Sequence, residues 1–103
     1  MPKLIWLPQA REDLLDIYTL IGLDQPASAE RYFDSIEAKA ERLVIRPRLG
    51  RRRSDIWPGI RMLVEAPYLI FYRTDLDTDE GPVTTVEIIR IVDGRRKLPQ
   101  LLR

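Results

Sequence analysis

The 103-residue sequence predicts an α+β fold: a small, largely antiparallel sheet carrying a helical hairpin on one face. Three observations predict it. Two stretches with apolar residues at helical spacing follow one another, each opening on a proline. Three later stretches are alternating, β-branched or continuously apolar, as strands are. A short β-like run precedes the helices, so the order reads β-α-α-β-β-β. There are no repeats and no linker that could divide the chain, and its length suits one domain spanning 1–103.

Lys3–Leu7, with Ile5 and Trp6, reads as the first strand. Pro8 suits the first turn of a helix, because its missing N–H has no intrahelical partner there. Ala10, Leu14, Ile17, Tyr18 and Ile21 then recur at helical spacing, with Glu12, Asp13 and Asp16 assigned to other faces. These acids are read as lying near the helix start, where the dipole favours them. Gly22 to Gln25 breaks the pattern, and Pro26 opens a second helix. Its stripe is Ala29, Tyr32, Phe33, Ile36, Ala40, Leu43 and Val44, and Pro47 and Gly50 end it. Two amphipathic helices on a short turn make an αα-hairpin.

Leu49 to Gly59 is basic and turn-rich and ends in Trp57-Pro58-Gly59. Ile60–Ala66 reads as a strand, with Ile60, Met62 and Val64 alternating against Arg61 and Glu65, Leu63 excepted. Pro67 marks a tight turn. Tyr68–Arg73 is almost wholly apolar, as a central strand buried on both faces would be. Thr74–Pro82 reads as a polar loop, Val83–Val92 as the last strand, and Asp93-Gly94 as its stop. Arg95–Arg103 is basic, and Leu98, Leu101 and Leu102 suggest a final helical turn.

Composition excludes much. Without cysteine there is no disulfide framework, thiol nucleophile or thiolate metal site. Without histidine the usual general base and the commonest metal ligand are missing. No Gly-rich phosphate loop, Ser–His–Asp set or metal-ligand cluster is present, so no cofactor or metal is expected and no common enzyme class fits. The longest apolar runs are four or five residues, far below the ~20 a bilayer-spanning helix needs. The N-terminus lacks a signal-peptide core, so a cytoplasmic protein without a membrane partner is expected.

The net charge of +1 hides segregation. Residues 1–41 are acidic, whereas residues 42–62 hold Arg42, Arg46, Arg48, Arg51, Arg52, Arg53 and Arg61 against Asp55 alone. Asp75, Asp77, Asp79, Glu80 and Glu87 make the next block acidic, and the last block is basic again. Arginine outnumbers lysine heavily, and its planar fork suits carboxylates and phosphates. Asp75-x-Asp77-x-Asp79-Glu80-Gly81 resembles half of a calcium loop. Positions six and twelve of such a loop would be Glu80 and Val86 rather than Gly and an acid, so a solvated hairpin loop is expected.

The ordered set of Trp6, Ala10…Asp13-Leu14…Ile17, Pro26-Ala27…Ala29…Arg31, Pro47…Gly50-Arg51 and Gly59-Ile60-Arg61 continues into Tyr68–Arg73 and Ile88…Arg90-Ile91…Gly94-Arg95-Arg96. In that order and spacing, from about Leu4 to Leu102, the chain resembles the ParE branch of the RelE/ParE toxin superfamily. It departs from the family at Asp93, where members often carry His, and in the Asp-rich insertion of the last hairpin.

The resemblance implies a toxin of a bacterial type II toxin–antitoxin pair. Toxins resembling ParE act on DNA gyrase, whereas the RelE branch cleaves mRNA on the ribosome. Cleavage by 2′-hydroxyl attack needs a base, a proton donor and cations on the phosphate. Here Leu63 and Leu69 stand where a second strand cation would help, and no Tyr or His follows Arg96. Arginine, with a usual pKa of about 12.5 or above, is a poor base. The expectation is a non-enzymatic gyrase inhibitor, neutralised by a ParD-like antitoxin and meeting operator DNA only through it. The alternatives are a ribosome-dependent mRNA interferase or a non-toxic antitoxin-binding module.

For target contact the candidates are Arg51, Arg52 and Arg53, the adjacent Trp57, Arg61, and Arg95 and Arg96 after the last strand. A solvated linker pairing with the acidic first helix or hairpin loop is the other reading of the arginine triplet. Trp beside Arg suits an interface hot spot. Arg73 and Arg90 are read as sheet-surface ion pairs, for instance with Glu65 or Glu87. For the antitoxin, a groove along the hairpin and sheet is expected to use Leu15, Tyr18, Tyr32 and Leu43.

Overall fold

The computed structural model describes residues 1–95. Strand β1 (Lys3–Trp6) leads into helix α1 (Pro8–Gly22), and a turn over 23–25 leads into α2 (Pro26–Ile45). Strands β2 (Arg51–Arg52), β3 (Arg61–Glu65), β4 (Tyr68–Asp75) and β5 (Thr85–Asp93) follow. They form one sheet in the order β1-β5-β4-β3-β2. The expected α+β architecture is therefore present, with one more strand than the sequence indicates. β2 lies inside the basic segment read as a turn, where Arg51 pairs with Met62 and Arg52 with Arg61. Two residues are too few to show a period, so only the partner strand reveals them.

Pairing is antiparallel except at β1, which runs parallel to β5 from Lys3↔Thr85 to Trp6↔Ile88. β4 extends to Asp75 and β5 starts at Thr85, so the loop between them lies two residues later than its polarity suggests. β4 is central, and Tyr68 through Tyr72 are all buried, as the unbroken apolar run predicts. No helix among the described residues is long and apolar enough to cross a membrane. The final helical turn expected near Leu98–Leu102 lies outside the described residues.

Each helix opens on its proline and neither has a side-chain N-cap, so packing rather than capping holds them. Ala10, Leu14, Ile36, Ala40 and Leu43 pack on Leu63, Ile70, Tyr72, Val86 and Ile88. Burying an Ile, Leu or Phe fully contributes about 1.5–3 kcal/mol, and Leu14, Ile36, Leu43, Ile70 and Ile88 are all of this kind. The other sheet face carries Leu69, Phe71 and Val92, covered by Ile56 and Ile60 of the turn before β3.

Two sequence expectations about α1 are corrected. Its first turn holds no acid. Asp13 does not sit on an outer face: it is 8 % exposed and turned into the sheet. A β-bulge explains why. Ile88 pairs with Tyr72 and Arg90 with Phe71, so Ile89 is an extra residue in β5. The bulge re-aims Arg90 toward α1, where Asp13 Oδ2 accepts from Arg90 Nε at 2.7 Å and from the Ile91 N–H at 3.0 Å.

Candidate functional site

Three regions carry exposed chemistry. The first is the end of the sheet where the arginine block meets the β4–β5 loop. Arg48 leaves the segment after α2 and donates through Nε to the Thr78 carbonyl at 2.7 Å and through Nη2 to the Gly81 carbonyl at 2.9 Å. Arg52 on β2 donates through Nη1 to Asp77 Oδ1 at 2.7 Å and through Nε and Nη2 to Asp79 Oδ1, both at 3.1 Å. The two carboxylates hold the Arg52 guanidinium above its ordinary pKa, Asp77 most strongly. Arg53 forms a bidentate pair with Asp55, at 3.0 and 2.9 Å, which raises its own pKa and lowers that of Asp55.

The arginine triplet is therefore not a uniform free patch. Arg52 takes the reading in which it pairs with the hairpin loop, and Arg53 is tied to its neighbour. Arg51 is exposed and forms no ion pair among the described residues. Arg61 is corrected as a surface residue: it is 5 % exposed. Its Nη1 donates to the Gly50 carbonyl at 2.9 Å, its Nη2 reaches Asp79 Oδ1 at 3.5 Å, and its Nε is buried with no acceptor among the described residues. Arg61 points to the helix side because β3 alternates it with Met62 and Val64, and the Gly50 carbonyl accepts from its guanidinium there.

The second region is the sheet face away from the helices. Trp57 is 48 % exposed and stands over a cleft of about 160 Å³ with Pro58, Ile60, Arg73 and Ile89. The backbone turns here at Gly59, whose φ of +79° favours glycine. Arg73 pairs with Glu87 across the strands at 2.7 Å, as expected, and its pKa is raised by that bond. Arg90 pairs with Asp13 of α1.

The third region is a groove between α1 and β5. β1 ends opposite Ile88, where the Leu7 N–H donates to the Ile88 carbonyl at 3.0 Å. Beyond that point β5 has no strand on this side among the described residues, and α1 lies beside it, tied by Asp13 to Arg90 and the Ile91 N–H. The resulting groove has a volume of about 350 Å³, with Ile17, Leu20 and Ile21 on one wall and Ile91 to Asp93 on the other. It continues past Leu20, Ile21 and Tyr68 into a wider recess of about 460 Å³ that includes Tyr32 and Arg95. Arg95 is paired with Asp93 at 2.6 Å, which raises its pKa. Arg96 lies outside the described residues.

Among the antitoxin candidates only Tyr32 lines this groove, resting edge-to-face on Tyr68 at 5.4 Å between centroids. Leu15 and Tyr18 are exposed on another side of α1, Tyr18 stacked edge-to-face on Phe33. Leu43 is corrected outright: it is fully buried in the core and offers no surface. Leu20, exposed beside the helix stripe, also lines this groove; its sequence signal is an apolar side chain off the Ala10–Leu14–Ile17–Ile21 face.

Comparison with known proteins places this geometry. Residues 4–98 match the family model of the ParE toxin of the type II toxin–antitoxin system parDE. Toxin ParE1 of Mycobacterium tuberculosis is 33 % identical over 92 residues, which cover 85 % of each chain. Toxin ParE3 of Caulobacter vibrioides is 39 % identical over 70 residues, covering 68 % of this chain and 63 % of the relative. The solved structure of a chromosomal ParDE toxin–antitoxin system from P. aeruginosa superposes with a TM-score of 0.72 at 26 % identity, covering 90 % of this chain and 96 % of that one. The match over nearly the whole described fold shows that this chain belongs to the ParE family, the toxin component of type II toxin–antitoxin systems.

Proposed function

We propose that this ParE-family toxin inhibits DNA gyrase by binding, without covalent chemistry of its own, in the cytoplasm. The observation that carries the binding reading is the state of Arg61. Its guanidinium is held by the Gly50 carbonyl and Asp79, so it can hold a negative charge, but as an arginine it cannot serve as the base of a phosphate-cleaving site. No histidine or cysteine exists in the chain to move a proton near neutral pH. What the surface offers instead is an exposed Trp57 over an apolar cleft, with exposed Arg51, which forms no ion pair among the described residues, on the preceding segment. Trp and Arg are the residue types that dominate interface energies.

A cognate ParD-like antitoxin would neutralise the toxin by laying an extended segment in the α1/β5 groove. There Leu20, Ile21 and Tyr68 form apolar pockets beside the last residues of β5, which no further strand covers among the described residues. Operator DNA is reached only through that antitoxin.

The test is a supercoiling assay with purified toxin and gyrase, scored also for trapped DNA breaks. Inhibition with accumulated breaks, reversed by the antitoxin, is the expected result. Folded, growth-arresting protein that leaves gyrase untouched would overturn the reading and direct attention to the ribosome.

A further inference from the structure

We propose that Arg48, Arg52 and Arg61 form a binding site for nucleic-acid backbone phosphate, and that the acidic β4–β5 loop occupies this site as an internal stand-in for the phosphate. The site goes beyond the gyrase reading and is tested without gyrase.

The three guanidinium groups come from three places: the segment after α2, β2 and β3. All three converge on one short loop. Asp79 Oδ1 alone receives Arg52 Nε and Nη2 and faces Arg61 Nη2, while Asp77 Oδ1 receives Arg52 Nη1. Among the described residues Arg48 is satisfied by neutral loop acceptors, the Thr78 and Gly81 carbonyls and the Thr78 hydroxyl at 3.3 Å. A guanidinium fork binds phosphate oxygens by the same geometry as carboxylate oxygens. The loop thus supplies a clustered set of anionic and carbonyl oxygens to a cluster of forks, as a phosphodiester would.

The floor of the site is fixed. Arg61 is 95 % buried by its 5 % exposure, and Nη1 is anchored on the Gly50 carbonyl. Gly50 is itself held by the Tyr72 hydroxyl, which accepts from its N–H at 2.7 Å. Arg61 Nε is buried without an acceptor among the described residues, so the loop leaves one donor of the site unused. The cover, by contrast, is loose. Residues 75–82 are all exposed, and the Asp79 side chain retains 81 % of its accessibility. Its ties are surface ion pairs, which are weak in water. A polyanion reaching Arg51 and Arg46 as well, both exposed, gains counterion release that two loop carboxylates cannot match.

The experiment measures binding of a fluorescent duplex DNA and of a single-stranded RNA of equal length, by anisotropy across a salt series. Variant D77N/D79N is compared with wild type and with E30Q/D34N, which removes the same two charges from exposed positions on α2. The expected result is about tenfold tighter binding by D77N/D79N with a steeper salt dependence, at most about twofold for E30Q/D34N, and loss of the gain when R52Q is added. Asp79→Asn alone serves if the double variant does not fold. Tightening on DNA, RNA or both supports the site and assigns its source. Equal tightening in the two charge-matched variants, no tightening on either probe, or a gain that survives R52Q overturns it.

Discussion

Asp13 on α1 and Arg90 on β5 stand 77 positions apart and meet in a two-pronged ion pair, with Nε···Oδ2 at 2.7 Å and Nη2···Oδ1 at 3.1 Å. The same carboxylate accepts the Ile91 N–H at 3.0 Å, and Gln9 Nε2 donates to its Oδ1 at 3.0 Å. Asp13 therefore does the work of the missing strand. β1 stops opposite Ile88, and one residue of the helix that follows satisfies β5 just beyond that point. The bond pins α1 to the sheet and fixes the width of the groove beside it.

Asp13→Ala should accordingly destabilise the fold by about 3 kcal/mol, the low end for breaking a buried pair, because Arg90 keeps some exposure. Asp13→Asn should lose less, since an amide oxygen can still accept from Ile91 N–H. Chemical denaturation of the two variants checks the order. Equal stability of Asp13→Ala and wild type would remove Asp13 from this role.

Gly50 is required by space. A Cβ there would meet Tyr72 Cε1 and Oη at 2.6 Å and the Met62 carbonyl at 2.9 Å. Gly50→Ala should cost roughly 1–3 kcal/mol through overpacking, most of it by displacing the Tyr72 hydroxyl. Tyr72→Phe should cost about 1–3 kcal/mol, because the Gly50 N–H and the Pro47 carbonyl both lose their partner. Thermal unfolding of each single variant and of the pair measures whether they act through one contact. Less-than-additive losses are expected.

Burial raises the phenols of Tyr72 and Tyr68 above their ordinary 10.0, with Asp93 adding to the effect at Tyr68. Below pH 10 both folded and unfolded chains keep these protons, and stability is intact. Above it the unfolded chain loses them first, so stability falls as pH rises, by up to about 1.4 kcal/mol per pH unit for each group, until the folded phenols ionise too. Denaturation midpoints measured from pH 8 upward, about two units below and above the phenol range, should show this alkaline loss. It should shrink in Tyr72→Phe.

On the gyrase reading, Trp57→Ala and Arg51→Glu should each relieve growth arrest; Arg51→Glu, at an exposed side chain, should change stability by less than about 0.5 kcal/mol, and Trp57→Ala, at a half-exposed one, by about 1 kcal/mol. Growth assays paired with thermal melts separate loss of target contact from loss of fold. Full toxicity in both variants would move the contact surface elsewhere.

Leu20→Asp should weaken antitoxin capture at least tenfold, because Leu20 faces the groove and is exposed in the free toxin. Leu15→Asp, on another side of α1, should weaken it far less. Titration calorimetry against the antitoxin compares them, and the reverse order would place the antitoxin on the outer side of the hairpin.

Local pattern alone was enough for the helices, the central strand and the family. Pro8 and Pro26 set the helix starts, the helical stripes survive in the core, and Tyr68–Tyr72 is buried on both faces as its unbroken apolarity requires. Each of these depends on neighbours in the chain, where periodicity is legible. The tertiary structure decided the rest. A two-residue strand at Arg51 has no period of its own and exists only because Met62 lies opposite. Leu43 and Leu20 are both leucines on a helix, and only packing separates the buried one from the exposed one. The fates of the charges were the least legible, because an ion pair joins residues that the chain separates. Arg52 finds Asp77 across 25 positions and Arg90 finds Asp13 across 77, and no local rule connects them.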